Sequence, residues 1–262
     1  MTATALDVRG FYNEFLKTRM IRYRLEGNLR IEAATRFFLE NIENDDIVID
    51  VGCGIGIATE AMAKTAYRGR VIGLDISDRN IWYAEKTVTL RNVSFHCLDI
   101  VNDAETVKRI AGASVNVIVL GDCLEHIPAS DRKPMLKCLA EMASVDAKIL
   151  VTIPSEWHLE YLRAEDPAQL QIIDNAISAE LLDREARDAG FALTYFRLTD
   201  MWRKAQYVHC ILQRMDTLFS AAHQDVPRES PNSLLRLGTR VADKLYYQRH
   251  RKKKYVDDVF GK

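Results

Sequence analysis

The chain has 262 residues, 48% apolar and 28% charged, with a formal net charge of −1. That is globular composition, long enough for one domain with a large core plus an appendage. No apolar run approaches the roughly 18–20 residues of a membrane-spanning helix, and the near-neutral charge argues against a body built to bind polyanions.

The opening stretch, MTATALDVRGFYNEF, has no basic region followed by an apolar block, so no secretory signal is expected. Apolar residues three and four apart predict a helix over 11–25, broken at Gly27 and Asn28, and a second over 29–42. Residues 1–44 thus read as an N-terminal helical cap. From 45 to 214 strands and helices alternate. Strands are predicted at 46–51, 70–76, 93–100, 115–122 and 147–154, and helices at 57–67, 79–90, 103–111 and 130–144, with Pro134 in the first turn of the last. The strands are near-continuous runs of Val, Ile and Leu, as in a parallel sheet covered on both faces. A helix at 176–190 precedes two strands, 191–199 and 206–214, with no helix-length segment between them. An antiparallel pair at the sheet edge follows. The fold class expected is α/β, a doubly wound, seven-stranded Rossmann-like sheet with helices on both faces and an antiparallel last strand.

Residues 215–262 read as a linker, clearest at 224–233, and a basic helix over 234–255. Residues 236–262 hold nine Lys/Arg against three Asp/Glu, so a mildly acidic body carries a basic tail. Such a tail suits an anionic membrane surface, a nucleic acid, or simple packing on the acidic body. Cys53, Cys97, Cys123, Cys138 and Cys210 lack metal-ligand spacing, and reduced thiols in a cytoplasmic protein are expected, possible association with the inner membrane face included.

The stretch that carries chemistry is VIDVGCGIGIAT, residues 48–59. A strand ends at Val51 and a helix begins near Ile57. Gly52, Gly54 and Gly56 let the loop turn tightly and let a ligand approach bare backbone, above the free N–H groups of the helix start. A phosphate, a dinucleotide, another adenosine-containing cofactor, or a plain strand–helix turn would each fit. Asp75 closes the second strand 19 residues after Gly56, where an acid can accept hydrogen bonds from both ribose hydroxyls; helix capping is the alternative, although Ser77 and Asp78 are better placed for it. Asp99 and Ile100 end the third strand on the same edge, where they suit an adenine amino group and ring, or a turn.

In order, DVGCGIG (50–56), GLDIS (73–77), CLDI (97–100) and VIVLGDCLEHIP (117–128) resemble class I S-adenosylmethionine-dependent methyltransferases, over about residues 45–213. The resemblance implies Asp50, Gly52, Gly54 and Gly56 as the first cofactor motif, Asp75 on the ribose and Asp99 on the adenine side, with Cys53, Ile76, Ile100 and Gly121 beside them. A nicotinamide dehydrogenase is the main competitor, but its G-x-G-x-x-G fingerprint is not met, and no Gly-Lys-Ser/Thr of a P-loop follows.

The methyl acceptor belongs at the end of the fourth strand. There Asp122, Glu125 and His126 lie within five residues. His126 is the natural general base, because imidazole titrates near neutrality, and Glu125 is its neighbour; a pocket-wall role is the plain alternative. The three side chains also suit part of a divalent-cation site holding acceptor hydroxyls, which is not favoured since such sites draw on more than one segment. The Asn/Asp-Pro-Pro-aromatic turn of base N-methyltransferases and the paired-glutamate loop of arginine methyltransferases are absent. That leaves a hydroxyl, carboxyl or amine of a small molecule, sugar, glycan or lipid, a sugar-type hydroxyl being expected from Glu156, Trp157, His158, Tyr161 and Arg163 and from Trp202, Arg203 and Lys204 near the same edge. A non-catalytic cofactor-binding scaffold and a nucleic-acid methyltransferase are the alternative functions.

Overall fold

The structure is a computed structural model and describes residues 5–112 and 114–221. The predicted linker at 224–233 and basic helix at 234–255 lie outside the described residues. Seven strands form one sheet in the order β3-β2-β1-β4-β5-β7-β6. They are β1 (Ile47–Val51), β2 (Arg70–Asp75), β3 (Val93–Cys97), β4 (Val115–Gly121), β5 (Ala143–Pro154), β6 (Phe191–Thr199) and β7 (Tyr207–Arg214). The first five are parallel, and β7 runs antiparallel to both β5 and β6.

Strand alternation sends two sets of side chains to opposite faces. Ile49, Val51, Ile72, Leu74, Ile118 and Leu120 pack with helices α6 (Ala104–Ala111), α7 (Ala129–Met142) and α9 (Ala179–Arg187). Val48, Val71, Val117, Val119 and Leu150 pack with α3 (Leu29–Leu39) and α4 (Ile57–Thr65), and α5 (Asp78–Thr87) adds Ile81 and Ala84 over Phe95 of β3. Both faces being covered explains the unbroken apolar strands. Among the described residues no helix is long and apolar enough to cross a membrane, and all five cysteines are free.

Polar caps set where these helices begin. Asn28 accepts from the backbone N–H groups of Arg30 and Ile31, just after Gly27 has turned at φ 84°; this is why the chain breaks between the first two predicted helices. Ser77, Ser155 and Ser178 cap α5, α8 (Glu156–Glu165) and α9 in the same way. Pro134 sits one turn deeper than expected. Because α7 starts directly after Pro128, Pro134 falls in its second turn, and the Ser130 carbonyl it leaves unbonded belongs to an exposed residue.

The N-terminal segment is one rod in three parts: α1 (Ala5–Phe15), a π-helical turn at Leu16–Met20 and α2 (Ile21–Glu26). It starts earlier than apolar spacing predicted, and its packing is described with the site. On the far face, Arg132 of α7 donates Nε and Nη2 to the two carboxylate oxygens of Glu185 of α9 at 2.9 and 3.0 Å, with both side chains buried. Removing one partner strands the other charge. Glu185→Ala is therefore expected to lower stability by about 3–5 kcal/mol, measured by urea denaturation.

Candidate functional site

The glycine loop is tied to the neighbouring strand before any ligand is considered. The N–H groups of Gly52 and Cys53 donate to the Leu74 carbonyl at 2.8 and 2.9 Å. Gly52 has φ 73°, and a Cβ there would come within 2.9 Å of Cys123 Sγ, so the loop lies against the β4 turn as closely as a glycine allows. Gly56 serves a different end from the one predicted. It starts α4 at φ 74°, a Cβ would meet Phe95 at 2.9 Å, and it lies away from the cleft. Its lack of a side chain serves helix–strand packing.

A cleft of about 850 Å³ opens above Gly52, Cys53 and Gly54, bounded by Asp50, Asp75 and Gly121. A second lobe of about 630 Å³ runs from Gly52 and Asp75 past Ile76 to Asp99 and Ile100. Tyr12, Gly52, Asp75, Asp122 and His126 line both. The predicted cofactor and catalytic residues other than Gly56 and Glu125 thus share one continuous cleft at the carboxyl ends of the strands.

Asp75 is its hinge. One carboxylate oxygen accepts from Gly54 N–H at 2.8 Å, and the other from Ser77 N–H at 2.8 Å and Asn80 Nδ2 at 3.3 Å. Burial raises its pKa and these three donors oppose the rise. Asn80 Oδ1, buried beside it on the cleft wall, has no donor. Acceptor oxygens gathered against a bare-backbone loop suit a ribose carrying hydroxyl donors. Asp99 lies two residues beyond the end of β3, because that strand stops at Cys97. Its carboxylate accepts from Val101 N–H and Asn102 Nδ2, at 2.9 and 2.6 Å, so it shapes the turn as well as lining the lobe. Asp50 accepts a 2.6 Å hydrogen bond from Thr59 Oγ1, and burial pushes its pKa up to about 7.

The N-terminal rod covers the cleft. Asn13 of α1 accepts from Ser77 Oγ at 2.5 Å and donates to Asp78 at 2.9 Å. Arg24 of α2 donates to the Ile55 carbonyl at 3.1 Å and to Glu60 at 2.8 Å, and Leu16 packs on Ile55 and Tyr83. A π-turn at Leu16–Met20 joins these anchors, at a place where such turns often mark function. Residue spacing shows the helix but not its target, so Tyr12 and Arg30 escape sequence reasoning. Among the described residues, Arg30 of α3 is the single Lys or Arg lining the cleft. It pairs with Asp122 and lies 5.6 Å from the Tyr207 ring.

After β4 the chain turns sharply. Asp122 adopts φ 50°, unusual for a residue with a side chain. Its N–H bonds the Thr152 carbonyl at 2.8 Å, and its carboxylate accepts from Thr152 Oγ1 at 3.1 Å as well as from Arg30. Asp122 is turned to Arg30, and no group of three ligating side chains converges among the described residues. Glu125 is 2% exposed, and burial and the Asp122 charge raise its pKa well above the carboxylate range. His126 Nδ1 lies 2.6 Å from the Ile173 carbonyl and 3.4 Å from Asp174 Oδ1, while Nε2 is 3.6 Å from Glu125 Oε1. Burial lowers its pKa, while the Ile173 carbonyl and the Asp174 and Asp122 charges oppose the fall.

The rim residues expected to meet the acceptor lie off the cleft. Glu156, Trp157 and Arg163 belong to α8, Trp157 and Trp202 are more than half exposed, and Arg203 bonds Tyr161 Oη at 2.8 Å while His158 Nε2 contacts Gln206 Nε2 at 3.0 Å. None of them, nor Lys204, lines the cleft. Gln171, from the segment after α8, closes that side instead. No regular spacing marks it.

Residues 20–195 match the family described as Methyltransferase domain, well over half of the chain. The chain belongs to the class I S-adenosylmethionine-dependent methyltransferases. S-adenosylmethionine is its cofactor, and the sheet order and antiparallel β7 are those of this methyltransferase fold. A ubiquinone biosynthesis O-methyltransferase of Hydrogenovibrio crunogenus is 28% identical over 176 residues, 63% of this chain and 68% of that protein. A protein of the same name from Idiomarina loihiensis is 32% identical over 104 residues, 39% and 40% of the two chains. Among solved structures, the magnesium protoporphyrin IX methyltransferase of Synechocystis PCC 6803 with bound S-adenosylhomocysteine is similar in fold, with a TM-score of 0.63 and 16% identity over 80% of this chain and 100% of that one.

The buried Asp50 of this methyltransferase gives a pH test. Its folded pKa of about 7 lies above an ordinary 3.8, so the folded state keeps a proton that the unfolded state has lost. Stability from this group is complete below about pH 4 and falls as pH rises to about 7. Asp50→Asn keeps the shape and cannot ionise. It is expected to unfold like wild type at about pH 4 and to be more stable near pH 8, by at most about 4 kcal/mol, in thermal melts without ligand.

Proposed function

We propose that this methyltransferase transfers a methyl group to a hydroxyl of a small molecule, with His126 as the general base. The observation that carries the reading is the His126 ring at the junction of both lobes, its Nδ1 2.6 Å from a carbonyl and its Nε2 3.6 Å from Glu125. The relatives named as O-methyltransferases support oxygen as the atom methylated. A sugar or glycan acceptor, expected from the rim aromatics, loses that support because those side chains lie off the cleft.

S-adenosylmethionine supplies a methyl group on a sulfonium, with a neutral thioether as leaving group. The rest is done by residues of the chain. Asp75 and Asn80 offer acceptors to the ribose hydroxyls, Ile76, Asp99 and Ile100 bound the adenine lobe, and Gly52, Cys53 and Gly54 leave room for the methionine part. Arg30, a cation on the cleft wall, fits the methionine carboxylate. Tyr12 and the N-terminal rod exclude water from above, which strengthens the electrostatic contacts below. His126 Nε2 removes the hydroxyl proton, and the Asp174 oxygen 3.4 Å from Nδ1 stabilises the imidazolium formed. In-line placement of the acceptor oxygen supplies the remaining rate.

Wild-type protein is expected to bind S-adenosylhomocysteine in calorimetry, and Asp75→Ala to bind at least about tenfold more weakly, since a lost charged hydrogen bond costs ~1.5–3 kcal/mol. Unchanged affinity overturns the placement of the cofactor. With labelled S-adenosylmethionine and extracts separated into small metabolites, glycans, lipids and RNA, label is expected in a small-metabolite hydroxyl compound. His126→Ala should bind S-adenosylhomocysteine normally and transfer methyl roughly 10²–10⁴-fold more slowly; normal turnover removes the base role.

A further inference from the structure

The segment behind His126 is held in a way that cleft formation alone does not require. Asn175 donates its backbone N–H to the Glu125 carbonyl at 2.9 Å, and its Nδ2 to the carbonyls of Glu125 and Ile127 at 2.9 and 3.0 Å. Three hydrogen bonds therefore fasten residue 175 to both flanks of His126. Two residues earlier, the Ile173 carbonyl meets His126 Nδ1 at 2.6 Å. A carbonyl can only accept, so Nδ1 must carry a hydrogen. In a neutral imidazole that leaves Nε2 as a bare lone pair. Asp174, between the two, brings a carboxylate oxygen to 3.4 Å from the same Nδ1, and accepts the N–H of Gln171 on the cleft wall.

We infer that Asn175, through Ile173 and Asp174, is the positioning element of the reaction: it fixes His126 in the Nδ1–H tautomer, turns Nε2 toward the acceptor and sets a carboxylate behind the ring. The inference rests on His126 being the base. It deepens that reading by naming what makes the residue a base and not a donor. Free imidazole in water favours a hydrogen on Nε2, the tautomer that would present a donor to an incoming hydroxyl. The short helical turn Leu124–His126 cannot select the other form by itself, because its backbone bonds fix the Cα and not the ring. The remaining groups facing the ring are Glu125 on the same turn, Tyr12 from α1 at 6.2 Å between ring centres, and the more distant Asp122–Arg30 pair. None of these supplies an obligatory acceptor to Nδ1. Asn175 touches neither lobe of the cleft, so its effect reaches the chemistry only through His126.

The tautomer is read directly by nitrogen-15 spectra of the histidine-labelled full chain with S-adenosylhomocysteine, at a pH where His126 is neutral, its ring assigned by the signal lost in His126→Gln. Wild type is expected to show Nδ1 protonated and Nε2 bare. Asn175→Ala is expected to show the Nε2–H form or a mixture, with affinity for S-adenosylhomocysteine within about twofold of wild type. Wild type with hydrogen on Nε2, or Asn175→Ala with an unchanged Nδ1–H ring, overturns the inference. The wild-type spectrum does not depend on Asn175→Ala, so refutation stays possible even where that variant does not fold. The measurement also needs no acceptor. Loss of the base role, shown by normal turnover in His126→Ala, is thus told apart from loss of the tautomer.

Discussion

The site depends on one constraint of sheet topology. β1 and β4 are neighbours, yet the chain leaves β1 toward the face covered by α3, α4 and α5, and leaves β4 toward the face covered by α6, α7 and α9. Two adjacent strands whose continuations part to opposite sides leave a crevice at their carboxyl ends. Everything that reaches the ligand enters it. The glycine loop comes off β1, the Asp122–His126 turn off β4, and Asp75 off β2 one strand away. The Gly52 contact with Cys123 measures how narrow the crevice is at its base, and the backbone bonds from Gly52 and Cys53 to Leu74 keep it from closing further.

The parts of this arrangement that were legible in the residues are the parts governed by local rules. Strands buried on both faces are written as Val and Ile runs, and helix starts at Asn28 and Ser77 carry side chains that cap. The glycine loop and the acids at Asp50 and Asp75 were visible because a tight strand–helix turn and an acid at a strand's carboxyl end each restrict residue type at a fixed place. Gly56 shows the limit of that logic. It belongs to the motif by spacing, yet the side chain it lacks would have struck Phe95 on a strand almost 40 residues away.

What escaped notice depends on contacts between distant segments. Arg30 looks like one charge among many on an amphipathic helix until α3 is laid over the end of β4 beside Asp122. Gln171 and Asn175 stand in a stretch without period, and only the folded chain brings them to the wall of the cleft and the back of His126. The rim aromatics failed in the opposite direction. Trp157, Tyr161, Trp202 and Arg203 have a composition that suits ligands, but α8 and the β6–β7 loop pack on one another through Ser155, His158 and Gln206, and so occupy the rim without facing inward.

The π-turn at Leu16–Met20 changes how the covering rod relates to the sheet. Tyr12, over the cleft, and Arg24, over the glycine loop and α4, are twelve positions apart. On an uninterrupted helix they would be about 120° out of phase. A single π-turn absorbs roughly one residue, which brings the two to within about 20°. The irregularity therefore acts as a phase adjuster. It lets a single continuous rod present the same side along its whole length, so that the half above the reacting groups and the half above the cofactor loop share one orientation and shift together.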